Sequence, residues 1–230
     1  MLVNFSLNHD DPLISHVVLL GDSIFDSAVY VPGGASVIEH LRKCLPAGWK
    51  ATLIALDGAG ISSVFRQVER VPADATHLVL SVGGNNALQY GGTILNEPAR
   101  SVSEALAVLA DFREEFRQEY RELLAALREL RKPAAVCTVY DAIPGLESGD
   151  RAGLALFNEV ILREAVAAAL PVIDLRIICN EASDFAPISP IEPSAAGGGK
   201  IARAIGRVVT EFDFVAKIAA FSYDRAFEPA

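Results

Sequence analysis

The chain is short of cysteine, of basic residues and of long apolar runs, and each shortage narrows what it can do. Three cysteines occur in 230 residues: Cys44, Cys137 and Cys179. An odd count at wide spacing argues against a disulfide scaffold and leads to the expectation of reduced, buried thiols. Lys and Arg total 20 against 29 Asp and Glu, a formal net charge of -9. A surface of that sign repels phosphate backbones and argues against nucleic acid as a partner. No apolar run reaches the ~20 residues needed to span a bilayer. Met1 to Pro12 lacks the basic and apolar stretches of a signal peptide, so a cytoplasmic location is expected. There is no C-x-x-C or H-E-x-x-H, and neither metal nor organic cofactor is expected. There is also no G-x-S-x-G elbow.

What is present reads as one globular domain. Hydrophobic residues make up 51% and charged residues 21%, which excludes disorder. Five short apolar runs, 17–20, 52–56, 78–82, 135–139 and 171–175, are continuous rather than alternating. Strands buried on both faces have this pattern, and they occur in parallel sheets. Helical periodicity fills the intervals at 35–45, 63–71, 101–130, 151–170 and 194–209. The longest opens with Ser101-Val102-Ser103-Glu104, a capping-box spacing. Alternating strands and helices predict an α/β, flavodoxin-like three-layer sandwich around a central five-stranded parallel sheet. Residues 1–15 read as an N-terminal extension, and 211–230 as a tail apolar enough to pack on the domain.

Function in such a sheet collects beyond the carboxyl ends of the strands. Gly21-Asp22-Ser23 follows the first run, Asp57-Gly58-Ala59-Gly60 the second, and Gly83-Gly84-Asn85-Asn86 the third. Ser23 falls where the first strand is expected to turn into a helix, with its hydroxyl at the sheet edge. Gly58 can bring its N–H close to a ligand, and Asn85 offers an amide donor. A hydroxyl nucleophile with converging donors suits acyl transfer, because the donors hold the oxyanion formed on attack. Plainer readings stand beside this one: Ser23 as a helix cap, Gly58 as a turn glycine, Asn85 as a turn residue. The three in register favour the nucleophile.

Here the sequence resembles the SGNH (GDSL-type) hydrolases. Leu20-Gly21-Asp22-Ser23-Ile24-Phe25-Asp26 is similar to the block that carries that family's serine. Gly58 matches its second-block glycine, and Gly83-Gly84-Asn85-Asn86 its third block, with Asn86 in place of an aspartate. The resemblance implies Ser23 as nucleophile and oxyanion donor, with Gly58 and Asn85 as the other donors. The final block departs from the family. Where Asp-x-x-His is usual, this chain reads Ser189-Pro190-Ile191-Glu192-Pro193-Ser194, so Glu192 stands at the base position and Ser189 at that of its aspartate.

None of the four histidines is an evident substitute. His16 and His77 precede their strands, which puts His16 roughly 20 Å from Ser23 at the far sheet edge. His40 lies well along the first helix, and His9 is in the extension. Carboxylates remain: Glu192 first, then Asp141 and Asp184. Burial without a cation would raise a carboxyl pKa and make it a better base. Glu192 could equally serve the dipole of the helix capped by Ser194. Asp22 and Asp26 are expected to hydrogen-bond backbone around the serine turn.

Two other glycine-rich stretches are weaker. Gly58-Ala59-Gly60-Ile61 lacks the third glycine and the later acid of a dinucleotide fingerprint. Gly197-Gly198-Gly199-Lys200-Ile201 lacks the first glycine and the hydroxyl of a P-loop. The resemblance implies a serine esterase or acylhydrolase acting on small acyl esters. A ligand-binding protein that has lost its base, or an acyltransferase, are the alternatives.

Overall fold

The computed structural model describes residues 15–94 and 97–214. His9, residues 1–14 of the extension and residues 215–230 of the tail lie outside them.

The five apolar runs form five parallel strands: β1 (His16–Gly21), β2 (Lys50–Leu53), β3 (His77–Ser81), β4 (Ala134–Cys137) and β5 (Val172–Ile173). Their order is β2-β1-β3-β4-β5, the flavodoxin-like arrangement. Val17 stands opposite His77 and Gly21 opposite Ser81. Successive strand residues face opposite layers, as the pleat requires. Val18, Leu20, Leu78 and Leu80 pack into one core, and Val17, Leu19 and Val79 into the other. This is why the runs are unbroken in sequence: neither strand face meets water.

The first core is covered by α2 (Ile61–Val68), α4 (Val102–Glu129) and α5 (Ser148–Ala167). The second is covered by α1 (Val37–Cys44) and α7 (Ala195–Glu211). Ser101 caps α4 as its spacing predicts, accepting from Glu104 N at 3.1 Å. Glu164 on α5, nearly buried, ties α5 to α4 by accepting from Arg117 at 2.7 Å and Arg121 at 2.9 Å. Two cations around one buried carboxylate satisfy both oxygens, the condition for such a group to be tolerated inside.

Three features differ from expectation. Gly84–Ile94, where no helix was expected and Asn85 had a plainer reading as a turn residue, is a helix, α3. Its glycines give it weak propensity, and tertiary contact compensates: Tyr90 packs 4.8 Å from Phe112 and 5.7 Å from Phe157, ring centre to ring centre. A short helix, α6 (Leu175–Ile178), and a two-stranded antiparallel hairpin, β6 (Phe185–Ala186) with β7 (Ser189–Pro193), lie before α7. Finally, Cys44 is exposed rather than buried, because it ends α1 at the surface; Cys137 and Cys179 are buried, and all three are free. Among the described residues, no helix is long and apolar enough to cross a membrane.

Candidate active site

Ser23 is placed by how β1 ends. Gly21 adopts φ +130°, and a Cβ there would lie 1.7 Å from the Ser81 carbonyl oxygen, so no other residue fits. Asp22 N donates to that same oxygen at 3.1 Å. The Gln67 amide, buried on α2, completes the strand end. Gly21 N donates to its Oε1 at 2.7 Å and its Nε2 donates to Gly21 O at 2.8 Å. The chain then turns tightly, Phe25 N and Asp26 N both donating to Asp22 O. This corrects the expectation of a strand running straight into a helix. The next α-helix begins only at Val37, capped by Ser36, so Ser23 caps nothing and no α-helix N-terminus follows it directly.

Glu192 arrives from the other end of the chain on β7. The hairpin is fastened by Tyr140, whose hydroxyl donates to Ile191 O at 2.8 Å, and by Ser194 N donating to Asp184 O at 2.8 Å. Ser23 is 7% exposed and Glu192 4%, and both line one cavity. Burial pushes the Glu192 carboxyl up to about 7; contact with the Ser23 hydroxyl pulls it down, and the charge of Asp57 adds to the rise. Glu192 Oε2 is buried with no hydrogen-bond partner.

Asn85, in the first turn of α3, lines the same cavity. Its Nδ2 donates to Ala59 O at 3.1 Å, and Asn86 Oδ1 accepts from Ile61 N at 3.3 Å. The second and third sequence blocks are thereby stitched together beside Ser23. Gly58 stands in the turn after β2 at φ +75°, a conformation that favours glycine; it is exposed and does not line the cavity. Among the described residues, neither Ser23 N–H nor Gly58 N–H has a hydrogen-bond partner.

The other acids separate. Asp22 lines the cavity at 2% exposure, and its Oδ1 accepts from Ile24 N at 3.2 Å. Burial, only partly offset by that bond and reinforced by Glu192, pushes its carboxyl up to about 8. Asp26 accepts from Asp57 N at 3.1 Å. Asp184 is buried but paired with Lys200 at 2.8 Å, and neither it nor Asp141 lines the cavity. Ser189 pairs with Ala186 across the hairpin.

The described histidines lie elsewhere, none of them lining the cavity. His16, at the opposite end of β1, bonds Asp74 at 3.0 Å and Thr52 at 2.8 Å. His77 stacks on Trp49 at 5.6 Å, and Phe214 packs against its edge. His40 lies on α1 near Gly199 of α7. Gly198 in that same stretch packs on Val37, so the glycine run serves helix packing.

Two positioning residues were not singled out in the sequence. Gln67 has been described; Asn158 on α5 does the same for the end of β4, with Oδ1 accepting from Val139 N and Nδ2 donating to Val139 O, both at 2.8 Å. The available signal was a lone amide on an apolar helix face, between Val64 and Val68 in one case and beside Phe157 and Ile161 in the other. A buried amide there needs a partner, and a strand end supplies both kinds.

The cavity has a volume of about 440 Å³. Asp22, Ser23, Asn85 and Glu192 form its polar end. The rest of the wall comes mainly from one face each of α3, α4 and α5, through residues such as Leu88, Leu109, Phe112, Leu154 and Phe157. Among the described residues no group of three His, Cys, Asp or Glu is placed to hold a metal ion.

The arrangement is that of an open parallel α/β sheet with a serine-bearing turn at the end of β1, the second strand from one edge. No family model matches the chain, and no curated protein matches it. Solved structures share its fold. A member of the lipolytic G-D-S-L family from Veillonella parvula superposes with a TM-score of 0.65 at 17% identity, over 86% of this chain and 100% of the other. An acetylxylan esterase from Geobacillus stearothermophilus gives 0.63 at 15% identity, over 87% and 96%. An extracellular lipase from Streptomyces rimosus gives 0.60 at 18%, over 85% and 98%. A catalytic mutant of the Geobacillus esterase replaces a histidine with alanine. These neighbours are esterases and lipolytic enzymes of the SGNH/GDSL type, and the fold is theirs.

Proposed function

We propose that the chain is a serine esterase or acylhydrolase in which Glu192 replaces the usual histidine base. Ser23 Oγ attacks the carbonyl carbon of an ester and passes its proton to Glu192. The Ser23 N–H and the Asn85 amide, which line the cavity, hold the oxyanion; Gly58, expected as a third donor, stands outside it. The tetrahedral species collapses, the C–O bond to the alcohol breaks, and Glu192 returns its proton to the leaving oxygen. Water, giving its proton to Glu192, then attacks the acyl-Ser23 ester; the bond from the acyl carbon to Ser23 Oγ breaks, Glu192 returns the proton to Oγ, and the acid is freed.

The observation that carries this reading is the meeting of Ser23 and Glu192, from opposite ends of the sequence, in one cavity with Asn85. A carboxyl at about 7 is matched to proton exchange near neutral pH, where an ordinary one near 4 is too weak a base. Asp22, at about 8, is neutral at pH 7 and adds no competing anion. The carboxylate at the base position also favours a second reading, a ligand-binding protein without turnover. Hydrolysis of p-nitrophenyl butyrate separates the two. The esterase reading expects turnover that Ser23→Ala lowers by at least 10³-fold. Equal rates in wild type and variant favour the binder.

A further inference from the structure

We infer that the cavity running from Ser23 between α3, α4 and α5 is an acyl-chain channel, built for a straight chain of about six to ten carbons rather than for acetyl. This rests on the esterase reading of the same site for its catalytic readout, though not for its binding readout.

Three observations point the same way. First, Asp22, Ser23, Asn85 and Glu192 make the polar end, and the walls beyond are mainly apolar on three helices: Leu88 on α3, Leu109 and Phe112 on α4, Leu154 and Phe157 on α5, with exposed Asp150 the one anion among them. The one cation in the lining, Arg113, is already bound to Glu159 of α5 at 2.6 Å. A sugar ring here would bury hydroxyls without partners, whereas an alkyl chain has none to satisfy. Second, 440 Å³ holds roughly fifteen water-sized groups, and a methylene is of similar bulk. An acetyl group would leave most of that space to water against apolar walls.

Third, the direction is set by the chemistry. The leaving alcohol must take its proton from Glu192, so it lies on the side of the β6–β7 hairpin. The acyl group remains bonded to Ser23 Oγ after the alcohol C–O bond breaks, so it lies on the Asn85 side, along α3. Leu88 at 53% exposure and Ile191 at 38% line the cavity and still reach solvent, which marks its opening. Glycines keep the channel wide. Gly153 lines it, and a Cβ there would meet nothing within 4 Å.

The test is a series of p-nitrophenyl esters from acetate to decanoate, on wild type, Ser23→Ala and Gly153→Trp, beside displacement of a fluorescent fatty acid by decanoate. The channel predicts kcat/KM rising up to fourfold per added methylene, at least tenfold from acetate to octanoate. It predicts decanoate displacing the probe from wild type and from Ser23→Ala alike. Gly153→Trp lowers the octanoate-to-acetate ratio tenfold or more; should that variant not fold, Gly92→Trp fills the same cavity from α3. If Ser23-dependent turnover is fastest on acetate and decanoate displaces nothing, the channel is overturned while the esterase reading stands. If Ser23→Ala matches wild type on every ester but decanoate still displaces the probe, the esterase reading falls and the channel stands.

Discussion

The Ser23 hydroxyl faces the carboxyl of Glu192, and both are almost wholly withdrawn from solvent. One group is delivered by the turn after β1, the other by the last strand before α7, and neither is ion-paired among the described residues. Burial therefore acts on Glu192 without relief from a cation, and the result is a carboxyl poised close to neutrality. An unrelieved buried acid is a stability cost, of the kind that clusters at functional sites.

That pKa fixes a pH dependence. Glu192 must be ionised to accept the Ser23 proton, and its carboxyl loses the proton as pH rises through about 7. The expected kcat/KM for a neutral ester climbs close to tenfold per pH unit below that point and flattens above it. Initial rates from pH 5 to 9 measure the limb. A flat profile down to pH 5 would show that the base is an ordinary carboxylate or that none acts.

Asn85 serves two purposes, so its removal should show in two readouts. Asn85→Ala deletes an oxyanion donor, worth about 10² to 10³ in kcat. It also releases Ala59 O, which now accepts from Nδ2, at about 0.5–1.5 kcal/mol of stability. Steady-state kinetics and urea unfolding on the same sample check both, and KM is expected to move much less than kcat.

Asp22 links stability to pH with the opposite sign from a salt-bridged acid. Its carboxyl stands at about 8 in the folded state, well above the ordinary value of 3.8. Between those limits the folded chain keeps a proton that the unfolded chain has lost. The stabilisation is complete at low pH and is lost as pH rises through about 8. Asp22→Asn keeps an acceptor for Ile24 N and removes the titration. Relative to wild type, the variant should gain on the order of 1–3 kcal/mol between pH 5 and pH 9, read by urea unfolding at both.

The sheet was legible in the sequence because its strands are buried on both faces: an unbroken run such as Val17 to Leu20 can hardly be anything else. The capped starts of α4 and α7 were legible for local reasons, serines that cap; the tight turn at Ser23 was not, since a strand passing into a helix was expected and the fit of Gly21 against Ser81 O appears only in three dimensions. α3 was not, since Gly84, Gly91 and Gly92 argue for a loop and only the aromatic contacts of Tyr90 override them. The hairpin was hidden by Pro190 and Pro193, which demote a strand by local rules. Glu192 could be placed by alignment near Ser23, but its pKa could not, because that depends on the absence of a cation in three dimensions. The cavity is further still from the sequence: it exists only where faces of three helices meet.

The most direct test of the account is the rate at which a fluorophosphonate labels Ser23, followed by mass spectrometry of the Ser23 peptide in wild type and Glu192→Gln. The account predicts a single adduct on Ser23, formed faster as pH rises to about 7, and formed at least 10²-fold more slowly in Glu192→Gln at every pH above that. An unlabelled Ser23, or equal rates in the two proteins, would contradict it.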